Sequence, residues 1–355
     1  MATITVPGGG GPIHTFTFSS GSGFTAQENA ISAELLSQQI DNITGPTMVI
    51  GDTGATTPFA LTSGLDGLYF ISGLNSVGGA ISIEGGANTL IGGELGKPGG
   101  LDGNWNIGTL GGETLVQFGS GADTFNSGGA DTVLAGGANV LVQVTAPNVQ
   151  GTVIDPASGF VTFLGGHSGG AHILPGGTGG GVYQLGTGGN NVAFAGTGNT
   201  TLIGGGDGDV LYANTVTGAQ GTTLFASGGA ETLVGGGVGT DTFYGFSSVS
   251  GGGNVLMDVS AAQSGQVLWL GGGNDTIMLS AGADSVVASA LPSAGDDQLL
   301  GWNVTQDVLY LDNLTAQSFQ DSAAGLRATL SDGTSITFIG LHDQSAINIV
   351  FGKPG

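Results

Sequence analysis

Apolar and polar residues alternate along this chain in runs of three to five, and clusters of glycine separate the runs. Alternation with a period of two is the mark of a strand with one buried face. A phrase recurs through the middle of the chain: glycines, then Asp, Asn or Glu, then Thr, then an apolar residue. It reads GGANTL at 85–90, GGETL at 111–115, GSGADTF at 119–125, GGADTV at 128–133, GGAETL at 228–233 and GGGNDTI at 271–277. Self-similarity at so short a period points to a solenoid, in which each repeat buries its apolar face only against its neighbours.

The spacing defines the step. Asp123, Asp131 and Asn139 lie eight apart, Asp275 and Asp284 nine, and Glu113 to Asp123 and Glu231 to Asp241 ten. Two such steps per coil, with glycines at the corners, describe a parallel β-roll or β-helix. In each step the residue after Thr is expected to point inward (Phe125, Val133, Leu233, Phe243, Ile277), with the Thr facing out. The longer stretches 148–163 and 213–223 are expected to bulge from one side.

Both flanks differ from this pattern. In 1–45, alternation at 3–6 and 15–18 predicts two short strands around a glycine-rich link. A helix is predicted from Thr25 as N-cap, with Glu28 at the capping-box position and Ile31, Leu35, Leu36 and Ile40 on one face. Gly45-Pro46 ends it. The repeats fill 46–298. In 299–355 a strand at 307–311, a turn and strand within 331–341 and an apolar stretch in 342–352 predict a β cap. The expected fold is thus all-β: a parallel solenoid with a short strand-plus-helix segment before it and a cap after it.

Composition narrows the function. The 355 residues include 75 Gly, yet 39% are hydrophobic and only 8% charged, the opposite of a disordered chain. The formal net charge is −23, and Lys97, Arg327 and Lys353 are the whole basic complement. Nucleic acid and anionic membrane surfaces are therefore excluded as partners. There is no Cys. The first residues lack the basic and apolar regions of a secretory signal, and no apolar run approaches the roughly 18 residues of a membrane helix.

GGVGTDTFY at 236–244 fits the nonapeptide G-G-x-G-x-D-x-U-x in full, and GGGDGDVLY at 204–212 fits it except that Asp207 replaces the fourth-position glycine. On these residues the chain resembles proteins with hemolysin-type calcium-binding (RTX) repeats. The resemblance implies Ca2+ as cofactor, with Asp209 and Asp241 as carboxylate ligands, assisted by Asp207, Gly236 and Gly239. The other repeats depart from the unit, being octads or carrying Asn or Glu in place of Asp. Because such an ion takes oxygens from two successive turns, one intact unit supplies half a site. The competing reading is that corner Asp, Asn and Thr satisfy turn amides and stack as side-chain ladders. GWNVTQDVLYLDNL at 301–314 and LSDGTSITFIGL at 330–341 also resemble the tails of RTX-type proteins exported by type I secretion, which implies an uncleaved C-terminal signal and an extracellular or cell-surface location.

Catalytic signatures are weak. There is no H-E-x-x-H helix and no G-x-S-x-G in a strand–turn–helix context. Polyuronate chemistry needs cations that this chain does not have. His167 and His172 are the only clustered imidazoles and could take a transition metal, although exposed decoration of a loop is the plainer reading. Asp296-Asp297 reads as a polar turn ahead of a carboxylate dyad. The expectation is a non-enzymatic structural protein that assembles with copies of itself as a filament, surface layer or biofilm matrix, with strands 3–6 and 15–18 as candidates for pairing with an adjacent copy. The alternative is a monomeric adhesin that binds cell-surface or matrix polysaccharide. It would need an aromatic strip, and Trp105, Trp269 and Trp302 are scattered along the sequence.

Overall fold

The computed structural model describes residues 2–6, 14–18, 47–50, 59–61, 67–71 and 79–355, the last span without 84, 95–96, 99–100, 102, 148, 156–157, 175–176, 215–220, 238, 247–252 and 291–294. The predicted helix from Thr25 lies outside the described residues. Among those described, the sole helical turn is a short 3₁₀ segment, Gln344–Ala346, capped by Asp343, whose side chain accepts from Ser345 N–H. The rest is strand and corner. The chain is a parallel β-solenoid.

Two compact units divide the chain, Met1–Gly186 and Thr187–Gly355. The boundary falls inside the glycine-rich repeats and at neither place where the sequence changes character. In each unit, successive strands alternate between two parallel sheets. In the first unit, Glu113–Gln117 pairs with Thr132–Leu134 and then Val153–Asp155 in one sheet, while Ala122–Ser127, Asn139–Val144 and Val161–Leu164 stack in the other. The 148–163 stretch is therefore no bulge, since it supplies a strand to one sheet and the start of another. In the second unit, Val210–Tyr212, Thr232–Val234, Leu256–Asp258 and Thr276–Met278 form one sheet. Thr222–Phe225, Thr242–Tyr244, Val267–Trp269 and Ser285–Ser289 form the other.

Alternation sets which side chains fill the core. Phe125, Val133, Leu233, Phe243 and Ile277 are all fully buried, as expected, and Thr124, Thr232, Thr242 and Thr276 are half-exposed, but Thr132, expected to face out, is buried. Seven strands of the second unit are three residues long with only the middle one turned inward. Side chains from the two sheets meet: Phe118 and Phe125 contact edge to face at 6.5 Å. Burying each large apolar side chain contributes about 1.5–3 kcal/mol, so a long series of single inward residues holds the coils.

Glycine is required where corners of successive coils touch. A Cβ on Gly253 would run into the carbonyl of Gly229 one coil earlier. Gly121 combines such a contact, against Gly103, with φ +122°, a backbone that L side chains rarely adopt.

The second unit ends unevenly. After Ser335–Ile339 the first sheet continues as an antiparallel meander, Gly325–Leu330 and then Ala316–Ser322. The other sheet ends on Ile349–Phe351, paired in parallel with Val308–Asp312. Ahead of the solenoid, Ala2–Val6 and His14–Phe18 pair antiparallel as a separate two-stranded sheet, matching the two strands read from alternation.

Candidate functional site

The acidic residue of the repeated phrase stands at or just before the start of a strand and is buried, except Glu113, which is exposed. Asp123, Asp131, Asp209, Glu231, Asp241, Asp275, Asp284, Asp297 and Asp307 are all 3% exposed or less. Strand register places them in rows. In the second unit one row runs Asn191, Asp209, Glu231, Val255, Asp275, Asp297, the first five just before their strands of the first sheet and Asp297 second in Asp296–Leu300. The other runs Thr222, Asp241, Gln266, Asp284, Asp307.

Glu231 accepts from the Ser227 N–H and hydroxyl within its own corner, but each aspartate of these rows joins two coils. Its Oδ1 accepts the backbone N–H at the same row position of the preceding coil: Asp209 from Asn191, Asp241 from Thr222, Asp275 from Val255, Asp284 from Gln266, Asp297 from Asp275 and Asp307 from Asp284, at 2.7–3.0 Å. The other oxygen commonly closes its own corner by accepting from the residue four earlier. Gly205 N–H reaches Asp209 at 2.7 Å, Gly271 reaches Asp275 at 2.8 Å, and Ser280 and Asn303 reach Asp284 and Asp307 at 2.7 Å. In the first unit Asp123 and Asp131 accept from Trp105 and Thr114 in the same way. Where the row carries Gln266, its Oε1 accepts from Asp241 N–H at 2.8 Å and the pattern continues. At Val255 the side chain contributes nothing, but its amide still serves Asp275.

Burial strips water from these groups and favours their protonated forms. Loss of solvation pushes Asp275 up to about 6, Glu231 to about 7 and Asp297 to about 8. Asp131, Asp241, Asp284 and Asp307 are raised for the same reason, with amide or hydroxyl donors pulling each partly back. Neighbouring acids add to the rise: Asp275, Asp296 and Asp332 act on Asp297, and Asp284 acts on Asp307. Asp297 Oδ2 has no hydrogen-bond partner. Arg327 pairs at the surface with Asp296 at 2.6 Å, and Lys353 with Asp312 at 3.4 Å, so neither neutralises a row.

No protein-family model matches this chain, and no curated protein or solved structure matches it either.

The residues named for calcium fall in different places. Asp209 lies in one row and Asp241 in the other. Asp209 accepts from Asn191 through one oxygen and from Gly205 and Gly206 through the other, so a cation there would have to displace amide donors. Asp207 is exposed and accepts from Ala230 N–H at 3.1 Å. The Gly239 carbonyl takes the Ser264 hydroxyl at 2.6 Å and the Gln266 amide at 3.0 Å. Gly236 is buried beside Asp241, whose Oδ1 accepts from Thr222 N–H and whose Oδ2 has no hydrogen-bond partner. Among the described residues no group of three or more His, Asp or Glu side chains is gathered for a metal ion. His167 and His172 are both exposed. Asp296 and Asp297 open a strand, Asp296–Leu300, where a turn was expected, and only Asp297 is buried.

Sequence order concealed an aromatic stack. Phe225, Tyr244 and Trp269 occupy one outward row of the second sheet, 19 and 25 residues apart. The first pair lies 4.4 Å apart and the second 5.6 Å, both stacked. Phe194 and Tyr212 stack likewise at 4.5 Å. Trp269 is thus part of a strip and is not isolated. Its rings cover one another's faces, and Lys353 lies 5.6 Å over Trp269.

Proposed function

We propose that this chain is a non-catalytic structural subunit that assembles with copies of itself outside the cell, as a filament, surface layer or biofilm matrix. The observation that supports this most is the use of its ionisable groups. The buried carboxylates are turned onto backbone amides of two coils, where they serve cohesion, and their oxygens are not presented to a substrate. On this reading the repeats are degenerate RTX units and export uses a C-terminal signal. Calcium would then be taken at corners around Asp207, Asp209 and Asp241.

Sedimentation velocity and negative-stain microscopy of the full chain, with calcium and with chelator, test the proposal. Fibres, sheets or concentration-dependent oligomers support it, and their loss in chelator assigns calcium a part. Discrete monomers at every concentration in both conditions overturn it.

The aromatic strip favours a second reading, a polysaccharide-binding adhesin. Sugars stack on open ring faces, however, and these rings turn their faces to each other. Saturable binding of a matrix polysaccharide by monomeric protein, abolished by Trp269→Ala, would establish that reading in place of the first.

A further inference from the structure

The two sheets of the second unit end differently. The first is closed by the meander, whose outermost strand Ala316–Ser322 is short of apolar residues and largely exposed. The second ends on Ile349–Phe351, whose far edge has no paired strand among the described residues. Val350 is 38% exposed there and Phe351 70%. An apolar strand with an open row of amides and carbonyls is a template for another strand, and natural edges are usually guarded by charge, Pro or a bulge. Within the strand none of these is present. Lys353 is the nearest charge, and it is drawn toward Asp312.

The chain also carries a strand pair in need of a third. Ala2–Val6 and His14–Phe18 form a two-stranded sheet that pairs with neither large sheet, although His14–Phe18 lies against Lys97–Pro98. Such a hairpin is marginal in water, and a further strand would stabilise it. Charge does not oppose a contact between the same two segments. Copies with a net charge of −23 repel one another, yet residues 1–27 and 344–355 contain no Asp or Glu. Neither segment therefore adds like-charge repulsion of its own to the contact.

We infer that the N-terminal hairpin of one copy adds as strands beside Ile349–Phe351 of a second copy, linking copies head to tail by β-augmentation. This rests on the self-assembly reading above. The interface is heterologous, so it propagates into open chains unless the rotation closes a ring.

Two full-length variants test it by sedimentation velocity. Val350→Lys/Phe351→Lys guards the edge and keeps the hairpin; Ile4→Pro/Phe16→Pro breaks the hairpin and keeps the edge. Each alone is expected to associate at least tenfold more weakly than the wild type. Mixed in equal amounts they are expected to give heterodimers and nothing larger, because each supplies the half the other lacks. Circular dichroism and thermal midpoints matching the wild type establish that the solenoid is intact. Should the proline pair disturb folding, Thr3→Lys/Thr5→Lys guards the same strand more gently. Assembly of either variant alone, or a mixture that stays monomeric while the wild type assembles, overturns this inference and leaves self-assembly standing. A wild type that never associates overturns both.

Discussion

Replacing Asp297 by Asn tests the account of the buried rows most directly. The carboxyl is 1% exposed, accepts Asp275 N–H at 3.0 Å and titrates at about 8 in place of 3.8. With its folded value raised, the folded state keeps a proton that the unfolded chain releases. The stability this confers is complete below about pH 4 and is withdrawn as pH rises to about 8. At about 1.4 kcal/mol per unit, the cost at pH 9 has a ceiling on the order of 5 kcal/mol. Part of that ceiling belongs jointly to Asp275 and Asp296, whose charges contribute to the rise. Asn keeps the oxygen that Asp275 N–H needs and never ionises. At pH 4 the protonated acid and the amide carry similar unpartnered donors, so the variant should lie within about 1 kcal/mol of wild type. At pH 9 it should be more stable by several kcal/mol. Urea unfolding at the two pH values measures the difference. An effect of equal size and sign at both would refute the buried-acid reasoning.

Other consequences follow from packing. Phe243→Ala empties a fully buried inward position and should cost about 3–5 kcal/mol, read as a lower denaturant midpoint. Gly253→Ala places a methyl against the Gly229 carbonyl and should cost at least about 1–3 kcal/mol, whereas Gly340→Ala, with open space for its Cβ, should lose less and only through its φ of +78°. Arg327→Gln removes a surface ion pair with Asp296 and should change the midpoint by under about 1 kcal/mol. Trypsin has only Arg327 to attack, because Lys97 and Lys353 are each followed by proline. Arg327 sits mid-strand with partners on both sides, so its cleavage, followed by mass spectrometry, should track unfolding as denaturant is added.

Much of the architecture was legible beforehand. Glycine corners, two steps per coil and the inward set Phe125, Val133, Leu233, Phe243 and Ile277 follow from alternation and spacing, which are local. The reading of corner acids as amide acceptors stacked in ladders also follows from local chemistry, because an unpaired corner N–H needs an acceptor. What could not be read is which coil position meets which. Asp123 and Asp131 are neighbours in sequence, but they serve opposite sheets, because consecutive strands alternate between sheets. Val255 and Gln266 belong to the rows despite bearing no acid, and only register shows it. The aromatic stack was hidden for the same reason: Phe225, Tyr244 and Trp269 are separated by unequal loops. The 148–163 stretch was misjudged because its Pro and Ala obscure a three-residue strand, Val153–Asp155.

The rows of acids resolve an ambiguity that parallel strands otherwise leave open. Sliding one coil by two residues past its neighbour would preserve every inside and outside position, so oil-and-water sorting alone cannot forbid it. Such a slip would carry each carboxylate away from its amide and strand it, dry and charged, among groups unable to receive it. The aspartates therefore act as indexing pins, rejecting the nearest wrong alignments during winding and making one phase of the spiral far better than its look-alikes.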